Sequence, residues 1–202
     1  MSLYPFNTNW KPRRAQTDVP GVFTTLEAVV CYSPGSPAAA DDNAYVTSTN
    51  MKVGAYTLAA TAPDMGARNV TLKRTVNGGA DTPGTITVTG TNLAGAVISE
   101  VLTPGANNTE VVGSKAFASI TSIVGAGWAI ADAADTIIVG WGDKIGLPDK
   151  LSDSAQVLAA SLNNAREATA PTVAVNATAL ESNTVDLNSA LNGTAVRVYY
   201  VV

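Results

Sequence analysis

Few residues of this 202-residue chain belong to the types and spacings that carry out chemistry. Glu100 and Glu110 are candidates for the paired carboxylates of a glycoside hydrolase, which must stand on opposite sides of a cleft. Asp132 and Asp135 are candidates for oxygen ligands of calcium, but neither an EF-hand loop nor a dense acidic cluster accompanies them. Surface acids on any sheet would look the same, so we expect structural or solvated roles for these carboxylates.

The absence of histidine and the presence of one cysteine exclude several kinds of site. No Ser-His-Asp or Cys-His-Asn triad can form, because each needs an imidazole as its base. Zinc sites of the Cys₂His₂ or Cys₄ type and an intrachain disulfide are equally impossible. Cys31 follows Ala28-Val29-Val30, an apolar run that predicts a small buried side chain rather than a nucleophile. We predict no enzymatic activity, no catalytic residues, no cofactor and no metal.

Two tryptophans next to glycines suggest a different chemistry, the stacking of a sugar ring on an aromatic face. Trp128 follows Gly125-Ala126-Gly127, and Trp141 lies between Gly140 and Gly142. Neither stretch has the lysine-serine pair of a P-loop or a Rossmann fingerprint. Because isolated tryptophans in a β-domain are more often core residues, a carbohydrate-binding module remains an alternative rather than the leading interpretation.

The charge composition bears on which partners are expected. Twelve Lys+Arg against 16 Asp+Glu give a net charge of −4, and 14% of residues are charged, where about 25% is usual. An acidic chain with few basic residues is a poor candidate for binding nucleic acid. The most apolar window, residues 116–134, is interrupted by polar residues and lacks the ~20 apolar residues of a spanning helix. We therefore expect neither nucleic acid nor membrane as a partner, and synthesis in the cytosol.

The middle of the chain, residues 67–148, has the clearest strand pattern. In residues 84–90, Ile86 and Val88 alternate with threonines, and this period-2 alternation predicts a half-buried antiparallel strand. Further strands are predicted over residues 69–74, 96–102, 117–124 and 136–141. Turns are expected at Asn77-Gly78 and at residues 92–95, and turn signals recur every ~8–12 residues. The pattern is typical of an all-β antiparallel sandwich or barrel-like domain.

Residues 1–66 form a separate N-terminal part that is interrupted by prolines. Proline fixes φ and removes a backbone donor, so long helices and central strands are not expected here. Residues 33–42 are predicted to be a loop. The first residues combine aromatic and basic side chains, which fits either a tail packed on its own domain or an extended arm that docks on a neighbour. The residues that would anchor such an arm are Tyr4, Phe6, Trp10, Lys11, Arg13 and Arg14.

The C-terminal part, residues 149–202, ends in an apolar strand. Residues 152–168 fit a helix or a strand, and the β-rich remainder of the chain favours a strand or irregular segment. In the last strand both faces are largely apolar, so we expect both to be covered, either within the domain or at a subunit interface. The predicted interface residues are Val198, Tyr199, Tyr200 and Val201.

Several segments from residue 67 onward resemble a β-domain common in virion proteins of tailed bacteriophages. They are ARNVT (67–71), GTITVTGT (84–91), VISEV (97–101), SKAF (114–117), ITSI (120–123), IVGWGDKIGLP (138–148), ALESNTVDL (179–187), NGT (192–194) and VRVYY (196–200). Their order and number carry the resemblance, which covers residues 67–202. The N-terminal part does not take part in it.

The resemblance implies a capsid decoration, or cement, protein on the outer surface of a tailed-phage head. Such a protein is expected to be a homotrimer that binds the major capsid protein, to be located on the virion after synthesis in the host cytoplasm, and to have no catalytic residues. A large surface of small apolar and hydroxyl residues fits this structural role. A tail, neck or fibre component of the virion is the alternative, although a fibre would show a repeat pattern that this chain lacks.

Overall fold

A computed structural model describes residues 28–77, 82, 84–129 and 134–202, together with the backbone of residues 14–16 and 23–25. The strands are β1 (Arg14–Gln16), β2 (Phe23–Thr25), β3 (Val29–Gly35), β4 (Asp41–Asn50), β5 (Gly54–Ala55), β6 (Arg68–Thr75), β7 (Thr85–Thr91), β8 (Val97–Leu102), β9 (Glu110–Phe117), β10 (Ser119–Ala126), β11 (Thr136–Gly146), β12 (Val157–Leu162), β13 (Ala165–Arg166), β14 (Thr172–Ala174), β15 (Thr184–Asp186) and β16 (Val196–Val201). Short 3₁₀ helices lie at Ser154–Gln156 and Leu180–Ser182. In the described part of the chain no helix is long and apolar enough to cross a membrane.

The strands form antiparallel sheets, and the prediction of an all-β fold is confirmed. β1 and β2 pair with each other. The threonine-rich sheet has the order β5-β10-β7-β8, and the central sheet has the order β14-β15-β11-β6-β9 with β4 also paired to β11. The C-terminal sheet has the order β13-β12-β16-β3, so that a strand from the beginning of the described chain lies beside the last one.

The first hydrophobic cluster lies between the threonine-rich sheet and the central sheet. Ile86 and Val88 on β7 are fully buried, while the threonines that alternate with them are half-buried, as the period-2 pattern predicts. Val70 and Leu72 of β6 face the same cluster from the central sheet. The two sheets therefore bury their apolar faces against each other, in the manner of a sandwich.

A second cluster is built by the C-terminal part of the chain together with the end of β11. Val139 of β11 belongs to the first cluster and Ile145 to the second, and the pairing register of β11 with β6 shifts between Trp141 and Ile145. Such irregularities bend a strand. β11 thus runs through both clusters and connects them.

The turns and strands predicted from the sequence agree largely with the structure. Gly95 has a positive φ angle of 77° in the turn predicted at residues 92–95, and Gly193, after Asn192, has one of 79°. The ambiguous segment 152–168 contains the short 3₁₀ helix and then β12 and β13. Asn163 and Asn164, with φ angles of 51° and 62°, join these two strands, as a type I′ hairpin turn requires.

The N-terminal part is less separate than its composition suggests. β3 belongs to the C-terminal sheet, whereas β4 pairs with β11 of the central sheet. The prediction of a loop over residues 33–42 was wrong at both ends, because β3 continues to Gly35 and β4 begins at Asp41. Ser33 donates a hydrogen bond from Oγ to the Val196 carbonyl at 2.9 Å, which holds this end of β3 on β16.

Candidate interaction surface

The last strand, β16, lies in the middle of the C-terminal sheet and presents one face to the second cluster. Val196, Val198 and Tyr200 on this inner face have no exposed surface. The Tyr200 hydroxyl donates to Asp149 Oδ2 at 2.5 Å. Burial, together with this carboxylate, raises the pKa of Tyr200 well above its ordinary value, so the phenol stays protonated and serves as a permanent donor.

The other side of this sheet, which we call the outer face, is formed by Val29 and Cys31 of β3 and Arg197, Tyr199 and Val201 of β16. Val29 pairs with Val201 and Cys31 with Tyr199, and directly paired residues of antiparallel strands point to the same face. Val29 is 62% exposed, Cys31 and Arg197 are exposed, and Tyr199 and Val201 are half-buried. The outer face is therefore an apolar surface on a rigid sheet, and part of it is exposed.

Among the five residues that define the outer face, Arg197 is the charged one. Arg166 of β13 lies on the same side of the sheet, because Ser161 of β12 pairs with both arginines. The Arg197 guanidinium donates to Asn164 Oδ1 at 2.8 Å in the turn between β12 and β13. The charge is therefore held at the far side of the face from Val29 and Cys31, which lie on β3 at the opposite edge of the sheet. The apolar part of the face is left without a charge of its own.

Two predictions made from the last strand require correction. Val198 and Tyr200 were expected at an interface, but both are fully buried inside the subunit, so their side chains are not available to a partner. Tyr199 and Val201 are half-buried and belong to the outer face. Sequence reasoning correctly found two apolar faces, yet it could not tell which one the chain covers itself.

The prediction that Cys31 is buried was also wrong, because this residue is exposed. β3 is an edge strand, and its side chains alternate between the two faces of the C-terminal sheet. Val30 and Tyr32 pack against the second cluster, whereas Cys31 between them points to the outer face. An apolar run in a sequence does not show which residues of an edge strand face outward.

The N-terminal candidates for an arm cannot be placed. Tyr4, Phe6, Trp10, Lys11 and Arg13 lie outside the described residues, and only the backbone of Arg14 is described, in β1 opposite Thr25. The arm hypothesis therefore stays a prediction.

The carboxylates and tryptophans singled out in the sequence have identifiable surroundings. Glu100 accepts hydrogen bonds from the backbone N–H of Ser114 at 2.7 Å, which ties β8 to β9. Asp135 is fully buried and accepts from the Asn77 N–H at 2.7 Å, while Asp132 lies outside the described residues. These contacts give Glu100 and Asp135 structural partners, which agrees with the roles expected for them.

The two tryptophans do not form a shared exposed platform. Trp128 is 9% exposed and belongs to the first cluster. Trp141 packs edge-on against Tyr45 with ring centroids 5.5 Å apart, and its indole N–H donates to the Ala39 carbonyl at 3.3 Å. Both rings therefore contribute to packing, and a sugar ring could not lie flat on Trp128.

A buried arginine beside Trp141 was not identified from the sequence. Arg68 has no exposed surface, and its guanidinium contacts Asp64 at 3.0 Å and Asp143 at 3.4 Å. It also donates to the carbonyl of Gly142 at 2.8 Å, so the buried charge is paired and hydrogen-bonded. The ARNVT segment contains the signal, a charge at the start of a strand that is covered on both faces. These contacts of Arg68 with Asp64, Gly142 and Asp143 hold the bend of β11 in place.

Within the described ranges no group of three or more histidine, cysteine or carboxylate residues could hold a metal ion. The outer face of the C-terminal sheet is a feature of the described chain that is suited to contact another molecule. In comparisons with known proteins, no family model matches the chain, and no curated protein or solved structure is significantly similar to it.

Proposed function

We propose that this protein is a capsid decoration protein that binds the outer surface of the major capsid subunits of a tailed bacteriophage and acts as a homo-oligomer. The proposal combines the resemblance of residues 67–202 to virion proteins with one observation, the exposed apolar outer face of the C-terminal sheet. As in the resembled proteins, a trimer is the expected oligomer. The outer face forms the contact between subunits, and the N-terminal residues reach the capsid.

The outer face supports this role through its construction. Val29, Tyr199 and Val201 stand on strands whose opposite faces are packed into the second cluster, so their positions are set before any partner binds. Preorganised apolar surface loses little conformational freedom on association, which favours binding. An open apolar face on a sheet would also promote non-specific association if nothing covered it.

A decoration protein acts by binding and needs no catalytic groups. A protein that binds only the assembled shell stabilises that shell by mass action. Repetition over a symmetric lattice then multiplies contacts that are weak one by one, because each bound copy raises the effective concentration at the next site. An all-β subunit with few charges and a rigid apolar face is compatible with this mode of action.

The subunit contact is tested by measuring the mass of the purified full chain in solution. We expect wild type to be an oligomer and Tyr199→Asp to form a smaller species, because the substitution places a charge on the outer face. Val97→Asp is the matched control, since Val97 is equally a strand residue, is 78% exposed and lies on the threonine-rich sheet. An unchanged mass for Tyr199→Asp would exclude the outer face as the subunit contact.

The capsid role is tested by co-sedimentation of the full chain with empty shells of the phage that encodes it. We expect saturable binding and an increase in the temperature at which the shells disassemble. Deletion of residues 1–15 should weaken shell binding and leave the oligomer intact. Absence of binding by the wild-type chain would exclude a decoration role, and binding to isolated tails instead would favour the tail or neck alternative.

A further inference from the structure

In the described part of the chain, the edge of the C-terminal sheet at β3 carries unpaired backbone groups. We propose that β3 of one copy pairs antiparallel with β3 of a second copy about a two-fold axis at Val30. The pairing would join two four-stranded sheets into one sheet of eight strands. This contact lies in the plane of the sheet, beside the outer face rather than on it, and it does not rest on the proposed capsid role.

The hydrogen-bond pattern of β3 shows which groups are open. Ala28 and Val202 exchange both backbone hydrogen bonds, with N···O distances of 3.4 and 3.2 Å. Hydrogen-bonded pairs alternate along an antiparallel ladder, so Val30, opposite Tyr200, also bonds to β16. The N–H and C=O groups of Val29 and Cys31 therefore point away from β16, and in the described chain no strand pairs with β3 on that side.

Among the residues that the structure describes, the open edge lacks the features that normally prevent edge-to-edge pairing. Exposed edges are usually protected by charges, prolines, short strands or a covering segment. Residues 28–33 carry no charge, and Pro34 comes only at the end of β3. Two other edges are protected. At the opposite edge of the same sheet β13 has two residues, and the edge of β8 is covered where Glu100 accepts from Ser114 and Lys115 of β9.

A second copy of β3 fits this edge because the segment is complementary to itself. With the axis at Val30, the outward-pointing groups of Val29 meet those of Cys31 in the other copy, and two hydrogen-bonded pairs form. Val30 meets its own equivalent, and Ala28 meets Tyr32. Like charges directly opposite each other would destabilise the pairing, and none occur here. The proposed pairing does not include Ser33, whose hydroxyl already donates a hydrogen bond to β16.

The register is tested by cross-linking Val29→Cys through the native Cys31. Opposed residues of a hydrogen-bonded pair have Cα atoms about 5.5 Å apart, which is within the range of about 4.4–6.8 Å for disulfides. Diamide is the oxidant, and it takes up the two protons and two electrons that each pair of thiols releases. Val29 is largely exposed, so the variant should fold. We expect Val29→Cys to form a covalent dimer at least about tenfold faster than wild type, in which the two Cys31 residues are diagonal neighbours about 7–8 Å apart.

The double variant Val29→Cys with Cys31→Ser is the matched control. It has an exposed thiol on the same strand, but in the proposed register that thiol faces a serine, so it should cross-link as slowly as wild type. Equal rates for all three proteins would show random collision and overturn the pairing. No cross-link in Val29→Cys would also overturn it, as expected if residues 1–27 of the same chain cover the edge.

The outcome is independent of the shell-binding experiment. Shell binding without the cross-link would overturn the β3 pairing and leave the decoration role intact. The cross-link without shell binding would support the pairing and exclude the decoration role. In a trimeric protein, the two-fold contact would join copies that belong to different trimers, and the denatured cross-linked product would still have twice the mass of the chain.

Discussion

Asn183 is a buried polar side chain that organises the backbone around it. Its Oδ1 accepts from the N–H groups of Leu151 at 3.0 Å and Asn176 at 2.9 Å. Its Nδ2 donates to the carbonyls of Asn176 and Ala179, both at 2.8 Å. One amide thus replaces the backbone pairing that these irregular segments lack, and buried polar groups that lose such a partner are costly.

Asn183→Ala should therefore lower the free energy of unfolding by about 3 kcal/mol, because several buried backbone groups lose their partner at once. The measurement is the urea dependence of the far-UV circular dichroism. Asn192→Ala is the control. The Oδ1 of Asn192 also accepts a backbone hydrogen bond, from the N–H of Thr194 at 3.2 Å, but Asn192 is exposed. Equal losses for both variants would contradict the proposed role of Asn183.

Asp186, in contrast to Asn183, destabilises the folded protein at neutral pH. Burial and the nearby Asp143 carboxylate raise the pKa of Asp186. A carboxyl whose pKa is raised by folding lowers the free energy of unfolding at neutral pH. This loss of stability decreases as the pH falls below the pKa of the folded state, and it is gone below the pKa of the unfolded state. Asp186→Asn should stabilise the protein at pH 7 by on the order of 0.5 kcal/mol, since half-exposed charges are screened.

The same substitution should have no effect at about pH 3, where carboxyl groups are largely protonated. Urea titrations at both pH values test this pattern. Glu181→Gln is an informative comparison, because hydrogen bonds from its own backbone and Asn92, with the charge of Lys115, outweigh burial and lower the pKa of Glu181. That variant should instead destabilise the protein at pH 7 and approach wild type in acid.

At the scale of elements, β16 separates core from surface by alternation. Its inner residues are fully buried, and its outer residues are partly exposed, although both sets are largely apolar. Val198→Ala should cost about 2–3 kcal/mol, because it leaves a cavity in the second cluster. Val201→Ala should cost less than about 1 kcal/mol in the monomer, since part of its surface is already in water.

Thermal unfolding at low protein concentration compares these two variants under matched conditions. At concentrations at which the oligomer forms, the effect of Val201→Ala should increase, because the outer face is then covered, whereas that of Val198→Ala should stay the same. A loss for Val201→Ala that equals that of Val198→Ala in the monomer would show that both faces of β16 are core.

At the scale of the whole molecule, β11 connects the two hydrophobic clusters. Its first half lies in one cluster and its end in the other, and β3 joins an early part of the chain to the last strand. Unfolding of the strands around one cluster would therefore disturb β11, which also belongs to the other cluster. We expect a single cooperative unfolding transition, as is usual for a small single unit.

Leu187→Ala tests this coupling at a distance. Leu187 belongs to the second cluster, whereas Trp128 and Trp141 pack in the first. In a Trp10→Phe background, tryptophan fluorescence then reports the first cluster alone. Leu187→Ala should lower the urea midpoint of fluorescence and of circular dichroism equally, by the equivalent of about 2–4 kcal/mol. An unchanged fluorescence midpoint would show that the clusters unfold separately.

The sequence by itself determined the class of fold and much of its detail. Threonines alternating with Ile86 and Val88 predict a half-buried strand because β-branched side chains and period-2 burial are local properties. The turn predicted at residues 92–95 follows from asparagine and glycine, because glycine tolerates positive φ. The absence of histidine is likewise a property of composition, and it excludes imidazole-based sites in any fold.

Only the tertiary structure decided which apolar surfaces are core. The two faces of β16 have similar hydrophobicity, and the second cluster covers one because distant residues such as Leu147 and Leu151 pack there. The exposure of Cys31 and the open edge of β3 likewise depend on β3 taking the last place beside β16. The pairing of Arg68 with Asp143 requires the bend of β11. These features arise from contacts between residues far apart in the chain, which periodicity along one strand does not encode.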